Sequence, residues 1–201
     1  MCNLYKLNAS AVEVAAHFVA SFSANLNAGG DTYPGQSGIV VAGGEVQSMV
    51  WGFPLNRVSE KTGKLLKPKP VNNCRTDKLD SRFWNASFRE RRCVIPVSSY
   101  AEAEGQKGKM TKTWFSDPDV PVMAIAGVWL VSSEWGAVFS MIMTEASPAV
   151  SEIHNRMPVI LKPDDWGQFV RGDEEEAKSL CVPYTGKLAI DRTDDLWFKR
   201  G

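Results

Sequence analysis

Metal-binding spacing is absent from this sequence. Its four cysteines, Cys2, Cys74, Cys93 and Cys181, form no C-x-x-C pair, and there are only two histidines, His17 and His154. Zinc-finger and zinc-hydrolase ligand sets are thereby excluded, and neither a metal nor any other cofactor is expected. Nor is either charge in excess: 23 Lys and Arg balance 23 Asp and Glu. A protein that coats nucleic acid through a generally basic surface is therefore excluded, and contact with a polyanion has to come from a local groove. No apolar run approaches the length of a membrane span, so no membrane partner is expected. The first residues lack the charged-then-apolar layout of a signal peptide, which points to a reducing cytoplasm with free thiols. Repeats, low-complexity tails and long linkers are missing too, so residues 1–201 read as one compact domain, expected to be monomeric.

What is present is a succession of short apolar runs. Ser10 and Glu13 form the S-x-x-E pattern of a capping box, and Val12, Ala15, Ala16, Val19 and Phe22 then repeat at helical spacing up to Gly29-Gly30. IVVAGGEVQSMVW reads as a hairpin turning at Gly43-Gly44. Residues 56–70, rich in Lys, Pro and Gly, read as a surface loop. A short helix is expected from Arg82 to Arg92, with Phe83, Trp84 and Phe88 on its apolar side. Strands follow at CVIPV, TWF, VMAIAGVWLV, AVFSMIMT and PVIL, with helices at Pro148–Ile153, from Pro163 through Phe169, and from Glu174 to Leu180. Many short strands with few helices predict an α+β fold with a curved, barrel-like β core and peripheral helices.

Chemistry is concentrated in a few places. Cys2 follows Met1, and removal of Met1 would leave an α-amine and a thiol on one residue. These groups titrate near about 8 and about 8.5, so both are partly nucleophilic at neutral pH. An aldehyde meeting such a 1,2-aminothiol forms an imine and then a thiazolidine ring. Chance placement of a cysteine at position 2 is the competing reading. His154 lies between an amphipathic turn and an apolar strand, beside Arg156. Glu102 and Glu104 share one face of a strand with Tyr100, and spacing alone does not choose between them. Asn73 and Arg75 sit together in VNNCRTD. The cluster Arg82, Arg89, Arg91 and Arg92, interleaved with Trp84 and Phe88, fits either a nucleic-acid groove with stacking surfaces or a solvated helix face.

Together and in order, MC at the start, WGF (51–53), NNCRTD (73–77 with Asn72), SRF (81–83), RRCVIPVSSYAE (91–102) and IHNRMPVIL (153–161) resemble the SRAP family, the abasic-site processing proteins. The resemblance implies a compact α+β domain with a barrel-like core. It implies covalent capture of abasic sites in single-stranded DNA in the DNA damage response, together with a peptidase activity that self-removal of the first residue would satisfy. It maps the catalytic positions to Cys2, Asn73, Glu102 and His154, and selects Glu102 over Glu104. The DNA-contacting positions fall on Arg75, Arg82 and Arg156, with Trp51 of the WGF element counted among them. The chain departs from the family's pattern at Leu4, which cannot contact a phosphate, at Ala103 and Asn155, and at Asp31-Thr32-Tyr33-Pro34. An N-terminal nucleophile amidohydrolase and a non-covalent single-stranded DNA-binding module are the rival classes.

Overall fold

The computed structural model describes residues 2–22, 26 and 29–198. The first elements are β1 (Tyr5–Leu7), α1 (Ala11–His17), β2 (Ser21–Phe22), β3 (Gly30–Thr32), β4 (Ser37–Ala42), β5 (Glu45–Trp51), β6 (Phe53–Val58) and β7 (Leu65–Val71). Then come β8 (Asn73–Arg75), α2 (Asn85–Glu90), β9 (Arg92–Val97), β10 (Ser99–Glu104), β11 (Thr111–Ser116), β12 (Met123–Ser132) and β13 (Gly136–Glu145). The last are α3 (Pro148–Ser151), β14 (Arg156–Pro158), β15 (Ile160–Leu161), α4 (Trp166–Arg171), α5 (Glu174–Ser179) and β16 (Ala189–Leu196). The fold is mixed α+β and mostly β, as the run of short strands predicts.

β5, β4, β9, β12 and β13 follow one another in a sheet, and β13 returns to pair in parallel with β5, closing a five-stranded barrel. Alternate residues of these strands feed two cores. Ile39, Val41, Val94, Ala126 and Ile142 pack with Val14, Phe88, Phe169 and Ala177 of the helices. The other face, with Val40, Trp51, Ile95, Phe139 and Met141, packs with Cys2, Tyr5, Tyr100 and Phe115. Burial on both faces is why β4, β9, β12 and β13 read as apolar runs, whereas β5 alternates. A second sheet, in the order β16-β11-β10-β1-β3, carries the beginning of the chain.

The hairpin forms as expected, because Gly43 and Gly44 take φ of 60° and 79°. The capping box forms too: the Glu13 N–H donates to Ser10 Oγ at 3.3 Å, and the Ser10 N–H to the Glu13 carboxylate at 2.7 Å.

Other expectations need correction. α1 stops at His17, and its buried residues are Ala11, Val14 and Ala15, whereas Val12 and Val19 face solvent and Phe22 belongs to β2. The stop comes from the backbone. Val19 N–H donates to the Ala16 carbonyl and Ala20 N–H to the Ala15 carbonyl, the paired bonds of a Schellman cap, which puts Val19 at φ 50°. Residues 53–71 form the β6–β7 ribbon, not a loop; a two-stranded ribbon tolerates Pro68 and Pro70 because few ladder donors are required of it. α2 covers only Asn85–Glu90, and Phe83 stays exposed while Trp84 and Phe88 are buried. The PVIL strand is broken at Val159, whose N–H reaches β13 at Ile142 while its carbonyl accepts from β12 at Ala126. The chain changes partner there.

Arg92 ties the helices to the barrel. Its buried guanidinium donates to the carbonyls of Phe88 at 2.8 Å, Arg89 at 3.2 Å, Phe169 at 2.6 Å and Gly172. These carbonyls lie at the C-terminal ends of α2 and α4, where the helix dipole favours a cation.

Val19 supplies a test of the cap. A β-branched residue in the left-handed region is strained, and Val19 is 93% exposed, so its side chain contributes little packing. Val19→Gly is expected to stabilise the fold by about 1 kcal/mol, measured as a higher urea midpoint at unchanged slope.

Candidate active site around Cys2

Cys2 precedes β1, and β1 pairs antiparallel with β10 so that Tyr5 faces Tyr100. A bond from the Ala101 N–H to the Leu4 carbonyl, 2.9 Å, carries the pairing toward the start of the chain. Glu102 is thereby brought near Cys2, close enough for its charge to act on the thiol. From the other side comes β8, laid parallel to β13 with Asn73 opposite Met141. Asn73 Nδ2 donates to the Cys2 carbonyl at 2.8 Å, and Asn72 Nδ2 donates to the same oxygen at 2.9 Å and to Asn3 Oδ1 at 3.0 Å. Two amides thus clasp the peptide that follows the thiol.

The clasp has its own support. The Asn72 carbonyl accepts from Trp51 Nε1 at 3.0 Å and from the Met141 N–H at 3.1 Å. Trp51 is fully buried, its ring edge-on to Tyr5 and stacked with Phe139. It therefore offers no face for a base to stack on, and its place among DNA-contacting residues is corrected to one behind the site. Gly52, next along, has φ 121°, and a Cβ there would lie 2.4 Å from Pro70 Cβ. Only glycine lets the chain turn here from the barrel into the ribbon.

The site is dry and polar at once. Cys2 is inaccessible to solvent and Glu102 is 2% exposed. Burial pushes the Cys2 thiol well above its usual range, and the charge of Glu102 adds to the effect. The thiol donates to the Leu4 carbonyl at 3.5 Å. Burial raises the Glu102 carboxyl to about 7, so near neutrality it holds or releases a proton with equal ease. The Tyr100 hydroxyl is raised by burial and then by the nearness of Cys2 and Glu102. Asn73 Oδ1 and Tyr100 Oη are buried without a hydrogen-bond partner among the described residues. Orphaned polar atoms are rare in folded proteins, and here two of them lie beside one cysteine.

Glu104, two residues on, is a different kind of group. It accepts from Thr113 Oγ1 at 2.5 Å and from Arg192 Nε at 3.1 Å, and these bonds hold its carboxyl below the usual range. The pleat shared by the two glutamates does not separate them; burial does.

His154 is half-buried, and burial lowers its pKa, which favours the neutral imidazole. Its Nδ1 lies 3.0 Å from the Arg156 nitrogen and 3.1 Å from the Arg156 oxygen. Accepting from the nitrogen leaves the proton on Nε2; donating to the oxygen leaves Nε2 as a base. Val150 and Met157, on either side of this loop, share Cys2's core. Arg75 and Arg156 flank β13 from opposite sides and converge on one carboxylate, Asp77, at 2.5 Å and 3.4 Å. Arg82 is exposed and Leu4 is buried.

A model of the family described as SOS response associated peptidase (SRAP) matches residues 1–195. The chain belongs to the SRAP family. It is 27% identical over 150 residues to abasic site processing protein YMR114C of Saccharomyces cerevisiae, covering 69% of this chain and 39% of that protein. The chain thus spans about two fifths of that relative's length. Crystal structures share the SRAP fold. A protein from Bacteroides thetaiotaomicron superposes with TM-score 0.78 at 20% identity, covering 95% of this chain and 91% of that one. One from Bordetella bronchiseptica gives 0.77 at 21% identity, covering 96% and 99%. A phage-related protein of the same organism gives 0.71 at 14% identity, covering 96% and 94%.

Sequence reasoning missed Asn72 and Tyr100 as members of this candidate site. The Asn-Asn doublet and the two-residue spacing of Tyr100 and Glu102 were the available signals. The raised pKa of Glu102 also predicts a pH effect on stability. Its folded pKa lies above the unfolded value of 4.5, so the native state holds the proton more tightly. Stability present below about 4.5 is lost as pH rises through about 7. The loss between pH 4 and 8 is expected to be at most on the order of 3 kcal/mol, and Glu102→Gln should flatten that profile in urea unfolding.

Proposed function

We propose that this chain captures abasic sites in single-stranded DNA, bonding them covalently to Cys2 once Met1 has been removed. The observation that carries this reading is the enclosure of Cys2 by Asn73, Glu102 and Tyr100, with the Asn73 and Tyr100 oxygens left to receive a guest. Membership of the SRAP family and similarity to a protein named for abasic site processing support the choice of aldehyde.

The steps follow from the groups. The free Cys2 amine adds to the C1′ aldehyde of the open sugar, and loss of water gives the imine. Proton delivery to the departing hydroxyl suits the protonated Glu102. The thiol then adds to the carbon of the protonated imine, its proton returns to the Glu102 carboxylate left by the previous step, and the neutral thiazolidine closes. The net change is one aldehyde and one aminothiol converted to a ring and one water. A thiol held neutral by burial is slow to react until the cationic iminium forms beside it. That ordering places nitrogen attack first. Asn73 fixes the Cys2 carbonyl, and its Oδ1 is available to the new amine. His154 supplies or removes a proton at the edge of the site, including during reversal. Arg75, Arg82 and Arg156 hold phosphates, which position the strand without reading its sequence. Removal of Met1 by the same groups would be the chain's peptidase activity.

Intact mass spectrometry after incubation with an abasic oligonucleotide tests the reading. The expected adduct weighs protein lacking Met1 plus oligonucleotide minus one water, and it survives a denaturing gel. Cys2→Ser is expected to form only a reversible imine trapped by borohydride, while Cys93→Ser keeps the stable adduct. An uncleaved N-terminal tag that leaves capture intact would contradict the mechanism. Persistent strand binding with no adduct would favour a non-covalent binding module instead.

Asp77 provides a second test, because it neutralises two of the arginines assigned to phosphates. On a non-reactive strand, changing all three arginines to Gln is expected to flatten the slope of log K against log salt by about 0.7 per contact. Asp77→Asn should strengthen binding at low salt and steepen the slope. An unchanged slope in both variants would move the groove elsewhere.

A further inference from the structure

Three distant segments meet beside the clasped end of the chain. Asn3 and Leu4, Tyr33 and Pro34, and Trp197 and Phe198 line a cavity of about 260 Å³. β3 pairs with β1, placing Thr32 opposite Tyr5, and this brings Tyr33 alongside Leu4. β16 pairs with β11 up to Leu196, and the Trp197 N–H then donates to the Met110 carbonyl at 2.8 Å. The Trp197 and Phe198 rings meet at 86°, with centroids 6.4 Å apart. Tyr33 is 39% exposed and Phe198 70%. Exposed aromatic rings gathered from both ends of a chain are not explained by core packing.

The lining says what fits. Among the described residues no charged side chain faces this cavity, so it suits neither a phosphate nor a charged peptide terminus. Flat rings and the Asn3 amide suit an uncharged heterocycle with polar edges. The cavity is also joined to the site, since Asn72 Nδ2 bonds both the Cys2 carbonyl and Asn3 Oδ1. We propose that it receives the unpaired base of the nucleotide next to the abasic site, stacked on Trp197, Phe198 and Tyr33. The proposal rests on the strand-capture reading above. Strand tracking is then divided between phosphates on the arginines and one base in the aromatic cavity.

The test uses the full chain and single strands carrying a tetrahydrofuran in place of the abasic sugar, so that no adduct forms. Binding is measured with bases on both sides of the tetrahydrofuran, and with the 5′ or the 3′ neighbouring base removed. Stacking of one base on aromatic side chains corresponds to roughly 5- to 100-fold in affinity. Wild type is expected to lose about that factor when one of the two neighbours is removed. Trp197→Ala with Phe198→Ala should bind the complete strand more weakly by a similar factor and be indifferent to the missing base. Tyr33→Ala, on the opposite wall, should do the same in smaller measure. Trp197→Phe should retain the preference, which separates stacking from damage to the fold. Indifference of the wild type to both neighbours, or equal discrimination by the double variant, would overturn the cavity's role. So would concentration-dependent dimerisation abolished by the double variant, because the occupant would then be a second copy. Cross-linking without base discrimination sinks the cavity and spares the capture reading; discrimination without cross-linking does the reverse.

Discussion

A strand in the middle of a protein must find partners for every backbone donor and acceptor, and β13 meets that demand with four neighbours. β12 and β14 lie along one edge, β5 and β8 along the other. Pairing with β5 closes the barrel. Pairing with β8 sets Asn73 and Arg75 in register, and pairing with β14 does the same for Arg156. Residues about 80 positions apart in sequence are therefore fixed relative to one another by main-chain bonds rather than by side-chain packing. Main-chain pairing of this kind sets where each side chain starts, and so which amide can reach the Cys2 carbonyl.

The same arrangement explains why the site is costly. Glu102, Tyr100 and Asn73 are polar groups withdrawn from water next to a buried thiol, and the Tyr100 hydroxyl and Asn73 Oδ1 find no partner among the described residues. Such burial subtracts stability. Around them the aromatic wall of Trp51, Tyr5 and Phe139 supplies apolar burial that offsets the loss. The Trp51 indole does both jobs, since it packs the core and donates to the strand that carries the clasp.

Much of the fold was legible because strands buried on two faces leave long apolar runs, and CVIPV, VMAIAGVWLV and AVFSMIMT all became strands. The Gly-Gly hairpin and the capping box were legible because each is a local rule with a local cause. Val19 defeated the helical periodicity because a left-handed cap on a valine has no composition signal. The ribbon at 53–71 was hidden by its prolines, which local propensity assigns to loops. β16 was invisible because Ala189–Leu196 is polar and exposed, held by pairing with β11 alone. At the site, Cys2, Asn73 and Glu102 came together where motif order placed them. Trp51 did not, because a tryptophan in a short motif reads the same whether it faces solvent or the core. Spacing left Glu102 and Glu104 open; the resemblance through RRCVIPVSSYAE chose Glu102, and it is the buried one of the two.

Arg92 has one further consequence. Its guanidinium anchors the helical layer through four peptide oxygens, and among the described residues it pairs with no carboxylate. A carboxylate anchor would weaken as acid protonated it, and a surface ion pair would weaken with salt. Peptide oxygens do neither. Across the range in which Glu102 gains and loses its proton, the joint between helices and barrel keeps the same charge and the same bonds. This joint therefore stays as it is while the Glu102 carboxyl beside Cys2 changes its charge.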